Sequence, residues 1–179
     1  LSRLKVGEEV EISVRRSGFK LPSSLDTPII LVGAGTGIAP LRAMYLDRHD
    51  QRQRLSGTKL KATEDLLFFG CRRADEDALY HDELQLLLQQ GALAQVISAF
   101  SRETHEKVYV QHKIVEYSSL LARLLAAGAH VYVCGGTAMA REVKLAFIAA
   151  LAPGLTQKEA KEHIGSMQAA GRYLQDVWG

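Results

Sequence analysis

Ile30-Leu31-Val32-Gly33-Ala34-Gly35-Thr36-Gly37-Ile38-Ala39-Pro40 is an apolar run, a glycine-rich turn and the start of a helix. Glycines permit positive φ and close backbone approach. Pro40 suits a first helical turn, where its missing N–H is no loss. Free amides and the dipole at such a helix start attract a phosphate. The dipole contributes only about 0.3–1 kcal/mol at an exposed site, so the loop supplies placement more than affinity. Its spacing is G-x-G-x-G, which differs from the common dinucleotide fingerprint and from a P-loop. By itself it fits an S-adenosylmethionine-binding methyltransferase, a nicotinamide enzyme, or a tight turn with no ligand.

Outward from this stretch the same unit repeats. Apolar runs occupy Ile29 to Val32, Leu66 to Phe69, Gln95 to Ala99 and His130 to Val133, and a last strand is expected over Tyr173 to Val177. Between them, helices are expected over Pro40 to Arg48, Asp77 to Gln90, Val110 to Ala127, Ala138 to Ala150 and Gln157 to Ala170. Continuous apolar strands alternating with amphipathic helices predict an α/β, Rossmann-like parallel sheet with helices on both faces. Gln51 to Ala62 is polar and basic and reads as a solvated loop. Val10 to Val14 alternates apolar and polar residues and reads as a half-buried strand. Pro28 opens a different kind of segment, so a boundary is placed at Asp26, dividing residues 1–26 from 27–179.

Composition narrows the function. The chain has 179 residues, 47% of them hydrophobic and 23% charged, which are ordinary globular values. A net charge of +2 gives no basic stripe, so no nucleic acid is expected as partner. No apolar run approaches the roughly 18 residues of a membrane span, and no secretory leader is read. The two cysteines, Cys71 and Cys134, are far apart and form neither a disulfide framework nor a metal spacing. A reducing compartment is expected, and no metal. The chain begins at Leu1 rather than Met and reads as a fragment.

One feature separates the ligand readings of the glycine loop. NAD-specific and methyltransferase folds commonly end the second strand on an acid that holds ribose hydroxyls. Here the second strand runs into Cys71-Arg72-Arg73, and arginines favour phosphate. After the third strand comes Ser101-Arg102-Glu103-Thr104-His105-Glu106-Lys107-Val108-Tyr109-Val110-Gln111. Ser101 and Gln111 offer hydrogen bonds, Arg102 and Lys107 offer charge, and Tyr109 offers a flat face. The set suits the 2′-phosphate of an adenosine whose base stacks on Tyr109, or else a solvated cluster of loop charges. Charge-assisted bonds contribute roughly 1.5–3 kcal/mol each, so two would favour NADP strongly over NAD. Following a strand in a sheet that already carries a phosphate loop, these residues point to a ligand.

A second strand–glycine–helix turn, Tyr132-Val133-Cys134-Gly135-Gly136-Thr137, puts Cys134 at a strand's carboxyl end, where ligands collect. Cys134 reads either as a small buried residue or as a soft side chain beside a nicotinamide ring. No activating partner for a nucleophilic thiolate is evident nearby. The chain ends Asp176-Val177-Trp178-Gly179, placing its single tryptophan at the extreme end. Termini usually carry small polar residues. Trp178 reads as a plug over a core edge or as a ring docked on something flat.

Taken in order, these motifs resemble the C-terminal part of the diflavin reductases, the family of NADPH–cytochrome P450 reductase. The likeness runs through Arg16 to Pro22, Gly33 to Pro40, Phe69 to Arg73, Asp75-Glu76-Asp77, Ala99 to Arg102, Lys107 to His112, Tyr132 to Gly135, Gly171-Arg172-Tyr173 and Asp176 to Trp178. The resemblance implies that Ser101, Arg102, Lys107 and Gln111 hold the 2′-phosphate, with Tyr109 against adenine. It implies that Gly35, Thr36 and Arg72 lie near the pyrophosphate, with Gly37 in the same loop. It implies that Cys134 and Asp176 belong to a hydride-transfer site, and that Trp178 covers an FAD ring and swings aside for nicotinamide. An acid there would stabilise the charge that grows as hydride departs.

In such a protein NADPH is the hydride donor. FAD and FMN carry the electrons onward to an acceptor protein such as a cytochrome P450, reached through an FMN domain. Residues 1–26 then read as the end of the FAD-binding barrel and 27–179 as the NADP(H) domain. Location in the cytoplasm is implied, or on the cytosolic face of the endoplasmic reticulum if an N-terminal anchor exists. Two departures from the family pattern concern chemistry. Gly136 stands where relatives usually have Asp, and the family's FAD-binding motifs with its catalytic serine are absent, so this fragment is expected to hold FAD poorly and to have little activity alone. A single-flavin ferredoxin–NADP reductase and a non-catalytic NADP-sensing module are the competing readings.

Overall fold

The computed structural model describes residues 3–13, 17–55 and 62–179. Five strands form one sheet: β1 (Ile29–Ala34), β2 (Leu66–Cys71), β3 (Gln95–Phe100), β4 (His130–Gly136) and β5 (Tyr173–Trp178). All pair in parallel, in the order β3-β2-β1-β4-β5. The expected α/β sheet is therefore present, each strand lying on the apolar run that predicted it. The order reverses direction between β1 and β4, and in open parallel sheets ligands collect in the crevice at that point, beyond the carboxyl ends.

The period-two alternation of the strands sorts the core into two layers. Ile29 and Leu31 of β1, Leu67 and Phe69 of β2, and Tyr132 and Cys134 of β4 face one side. There they meet Ile38, Leu41 and Tyr45 of α1 (Ile38–Arg54). Ile30, Val32, Leu66, Phe68, Val131 and Val133 face the other side. That side is covered by α4 (Val110–Glu116), α5 (Ser118–Ala126), α6 (Thr137–Leu151) and α7 (Gln157–Ala169). α7 starts on a capping box: Thr156 Oγ1 accepts from the Glu159 N–H, and Glu159 Oε2 accepts from the Thr156 N–H.

Several expected boundaries are corrected. The helix expected over Asp77 to Gln90 is two, α2 (Ala74–Asp77) and α3 (His81–Gln89). Between them Tyr80 takes the left-handed conformation at φ 61°, its ring lying 4.9 Å under the Arg42 guanidinium. The helix expected over Val110 to Ala127 breaks at Tyr117, whose ring packs edge-on to Phe68. Helix α1 continues to Arg54, through the first part of the loop expected at Gln51 to Ala62. The pairs Gln51–Asp47 and Arg54–Asp50, each four residues apart, support that polar last stretch. The remainder of that loop, 56–61, lies outside the described residues, as do Val14 and Arg16.

The strand expected at Val10 to Val14 is not formed over 10–13: those residues pair with no strand among the described residues, and Val10 and Ile12 are exposed. Alternation makes a strand only where a neighbouring sheet supplies hydrogen bonds and a face to bury, and the described residues supply neither.

The segment leading into β1 is held firmly. Arg48 and Asp65 form a fully buried ion pair, Nε to Oδ2 at 2.9 Å. Arg48 also donates to the carbonyls of Leu25 and Thr27, and Asp65 Oδ1 accepts from the Ile29 N–H at 3.0 Å. Breaking such a pair by removing one partner costs about 3–5 kcal/mol. Phe19 meets Tyr132 edge-on, and the Tyr132 hydroxyl donates to the Lys20 carbonyl at 2.6 Å. Among the described residues no helix is long and apolar enough to cross a membrane.

Candidate functional site

The carboxyl ends of the five strands bring together most of the residues singled out from sequence. β1 ends in a 3-10 turn, Gly35–Gly37, and passes directly into α1. Gly35 has φ 53°, a conformation that favours glycine. A Cβ on Gly37 would lie 2.2 Å from the Cys134 carbonyl oxygen, so this glycine is required where the turn packs against β4. Helix α1 has no acid in its first turn and no side-chain cap, an arrangement hospitable to an anion.

Beside this turn the β2–β3 pairing continues past the strand ends. The Ser101 N–H donates to the Cys71 carbonyl at 3.0 Å, and the Arg102 N–H to the Arg72 carbonyl at 2.9 Å. Two arginines from separate strands therefore leave the sheet at adjacent positions. Arg73 is neutralised by Asp75 and Glu76. Arg72, Arg102 and Lys107 have no ion-pair partner among the described residues, and all three are exposed. Glu103, the acid next to Arg102, is engaged elsewhere, accepting from the Ala74 N–H at 2.7 Å.

A cavity of about 140 Å³ opens among these ends. Ser101, Tyr109 and Gln111 line it, with Ala34, Cys71 and Met139. The Gln111 Oε1 is buried without a hydrogen-bond partner among the described residues. A buried acceptor left unpaired costs about 1–3 kcal/mol, so its persistence beside a cavity marks a place for a donor. Tyr109 caps α4 and is 41% exposed. It is steadied by His112, whose Nδ1 accepts from the Tyr109 N–H at 3.3 Å and whose ring lies 5.7 Å away. A larger groove, about 320 Å³, lies between the start of α5 and the end of α6, with no charged residue in its lining. The chemistry favours the smaller cavity.

At β4 and β5 the register sets Cys134 beside Asp176 and Gly136 beside Trp178. Cys134 is fully buried among Leu31, Ile38 and Tyr132. Burial, and then the Asp176 carboxylate, push its thiol up to about 11, so it is a neutral thiol near neutral pH. Cys71 is likewise pushed up to about 11, by burial and then by Asp77 and Glu103. Asp176 and Trp178 are exposed on the edge strand, Trp178 at 48%. The Thr137 hydroxyl, at the first position of α6, donates to the Gly179 oxygen at 2.9 Å and to the Trp178 carbonyl at 3.3 Å. Thr36 lies in the 3-10 turn beside Gly35. Among the described residues no group of three or more His, Cys, Asp and Glu side chains could hold a metal ion.

Sequence reading passed over His112, Thr137 and Met139 as site residues. His112 stood three residues after Tyr109, a spacing that brings side chains together at a helix start. Nothing in the sequence marked Thr137 or Met139, because their roles depend on β5 and α6 meeting.

The fold and this arrangement define a nucleotide-binding domain of the oxidoreductase class, and comparison with known proteins agrees. The family model of the oxidoreductase NAD-binding domain matches residues 31–145, and the chain belongs to that family. It is 46% identical over 176 residues to an NADPH–cytochrome P450 reductase of Aspergillus terreus, covering 96% of this chain and 25% of the relative. It is 43% identical over 172 residues to the Homo sapiens NADPH–cytochrome P450 reductase, covering 94% and 25%. To that of Dictyostelium discoideum it is 41% identical over 187 residues, covering 99% and 26%. The resemblance expected from the motifs is thus borne out, and the chain spans about a quarter of the length of the curated relatives it matches.

Proposed function

We propose that this chain is the NADP(H)-binding domain of a diflavin reductase. The observation that carries this is a cavity lined by Cys71, Ser101, Tyr109 and Gln111, whose chain neighbours Arg72 and Arg102, with Lys107 in the same loop, have no ion-pair partner among the described residues. In this reading Arg102 and Lys107 hold the 2′-phosphate and Ser101 hydrogen-bonds to it. The Gln111 side-chain NH2 completes that shell, since phosphate oxygens accept hydrogen bonds, while the buried Oε1 is left for a donor on the nucleotide. Tyr109 presents its ring to adenine, with His112 fixing the ring's attitude. Arg72 and the Gly35–Gly37 turn face the pyrophosphate. Bound NADPH supplies a hydride. The chain's own part is to place the nicotinamide end near Cys134 and Asp176, where a carboxylate stabilises developing positive charge and a neutral thiol adds none.

The parent protein is then a flavoprotein enzyme, with FAD as hydride acceptor and FMN relaying electrons to a partner protein such as a haem protein. The exposed apolar residues Leu4, Val6, Val10 and Ile12 support reading residues 1–26 as the end of an FAD-binding barrel whose other strands would cover them. The two free cysteines fit a reducing compartment, the cytosol or a membrane face turned toward it. The likeness to NADPH–cytochrome P450 reductases over nearly the whole chain favours this branch over a single-flavin ferredoxin–NADP reductase.

Gly136, where relatives usually have Asp, is the one observation that favours a non-catalytic NADP sensor. Full-length protein is expected to reduce cytochrome c with NADPH far faster than with NADH. Absence of any reduction, with flavins bound, would leave the sensor reading standing.

A further inference from the structure

Glu103 follows Arg102 directly and is exposed, yet it has no ion-pair partner among the described residues. Its Oε1 accepts instead from the Ala74 N–H at 2.7 Å, a bond across 29 positions of sequence. Ala74 is the first residue of α2, and Arg73 before it gives that helix no side-chain cap. The amide is therefore one that α2 cannot satisfy from within. From Glu103 to Val108 the chain forms neither helix nor strand. The other side-chain bond of that stretch among the described residues, Thr104 Oγ1 to the Glu106 carbonyl, is local. Among the described residues, then, the bond from Ala74 to Glu103 is the one hydrogen bond joining this stretch to a distant element. The same carboxylate reaches Cys71 in the cavity wall, where burial, then Asp77, then Glu103 push the thiol up to about 11.

We infer that Glu103 is a positioning residue: its carboxylate ties the loop that carries Arg102 and Lys107 to the start of α2, and so holds that loop in place for a 2′-phosphate. The role toward phosphate rests on the nucleotide reading above; the tether itself does not. Two effects follow from the bond. A loop already tied to α2 has less freedom to lose when an anion binds. A carboxylate occupied by Ala74 is also withheld from Arg102, its neighbour in sequence, for which it would otherwise compete with phosphate. The expected sign is opposite to that of simple electrostatics. An acid close to an anion site repels the anion, so on charge alone its removal tightens binding. If Glu103 positions the loop, removing it loosens binding, and an uncharged acceptor of the same reach restores it. Losing one net hydrogen bond changes such an equilibrium by about 2- to 10-fold.

The test compares the parent chain with Glu103→Ala, which removes acceptor and charge, and Glu103→Gln, which removes the charge alone. Glu103 is exposed, so neither change touches the core. Hydrogen exchange at the Ala74 amide, followed by NMR, is expected to quicken about 2- to 10-fold in Glu103→Ala and to stay near the parent rate in Glu103→Gln, with exchange in β1 unchanged. Affinity for 2′,5′-ADP should fall about 2- to 10-fold in Glu103→Ala, with 5′-AMP affinity unchanged. In Glu103→Gln it should equal or exceed the parent's. Equal Ala74 exchange in all three proteins overturns the tether. Faster exchange with 2′,5′-ADP binding unchanged or tighter in Glu103→Ala overturns the positioning role. Equal weakening in the Ala and Gln variants, or an equal loss for 5′-AMP, overturns it too. A parent chain that binds 2′,5′-ADP no better than 5′-AMP overturns the role toward phosphate together with the nucleotide reading, while the exchange data still decide the tether.

Discussion

The Arg102 N–H donates to the Arg72 carbonyl at 2.9 Å, just past the point where β2 and β3 end as strands. This bond sets side by side the backbones of two arginines that are far apart in sequence and have no ion-pair partner among the described residues. The sheet thus brings their Cα atoms together before any ligand arrives. An anion that engages both then has less chain to order, and preorganisation of this kind favours affinity.

The two arginines have separable tasks. Arg102→Ala should weaken binding of NADP⁺ and 2′,5′-ADP by about 10- to 100-fold, the equivalent of roughly 1.5–3 kcal/mol, and leave NAD⁺ nearly untouched. Arg72→Ala should weaken NADP⁺ and NAD⁺ alike, because both carry the pyrophosphate. Calorimetric titration with the three ligands checks this. Equal losses for NADP⁺ and NAD⁺ in the Arg102 variant would refute the 2′-phosphate assignment.

Gln111 should show a trade between stability and binding. Its Oε1 is buried and unpaired in the free chain, so Gln111→Met removes an unsatisfied acceptor at similar volume. The urea midpoint is expected to stay level or rise, while 2′,5′-ADP affinity falls several-fold. A variant that unfolds earlier and binds normally would place Gln111 in the structure rather than in the site.

Gly37→Ala is expected to destabilise by about 1–3 kcal/mol or more, since the new Cβ meets backbone atoms of Cys134 that cannot swing aside. Gly35→Ala should cost less in packing, having open space around it, but is strained by its positive φ. Urea denaturation ranks the two; Gly37→Ala at parental stability would mean that the turn and β4 can part.

Stability should fall with acid through His130. Burial, with Arg172 and Arg48 nearby, holds its imidazole below the usual histidine range, and its buried Nδ1 has no hydrogen-bond partner among the described residues. The unfolded chain, titrating near 6.5, therefore binds more protons than the folded one in the window below that value. Stability from this group is complete above about pH 6.5 and is lost as pH drops toward the folded value. His130→Gln should lack this component, so its urea midpoint should fall less than the parent's between pH 7.5 and 5.5. Parallel losses would contradict the assignment.

Much of this architecture was legible because a doubly covered parallel sheet writes itself as uninterrupted apolar runs. Ile29 to Val32, Leu66 to Phe69 and His130 to Val133 can be read with no knowledge of their neighbours. The places that resisted reading depend on partners distant in sequence. Tyr80 breaks a helix while its ring sits under Arg42, from another helix. Tyr117 breaks another where its ring meets Phe68 on the sheet. The polar end of α1 shows no apolar periodicity, yet its i,i+4 pairs accompany the continuation of the helix from Arg48 to Arg54, less than two further turns. Val10 and Ile12 carry a strand's alternation with no sheet beside them among the described residues.

The candidate site divides the same way. Loop chemistry announced Ser101, Arg102, Lys107, Tyr109 and Gln111, because charge, hydrogen bonding and an aromatic face follow one another along the chain. Thr137 and Met139 could be found only once β5 and α6 were placed.

On the reading proposed above, the cations beyond β2 and β3 select a phosphate on the ribose 2′ position. Titrating the 179-residue chain with 2′,5′-ADP and, separately, with 5′-AMP tests it most directly. 2′,5′-ADP is expected to bind roughly 10- to 100-fold more tightly, the increment of one to two charge-assisted bonds. Equal affinity for the two, or no binding of 2′,5′-ADP at millimolar concentration, would contradict it.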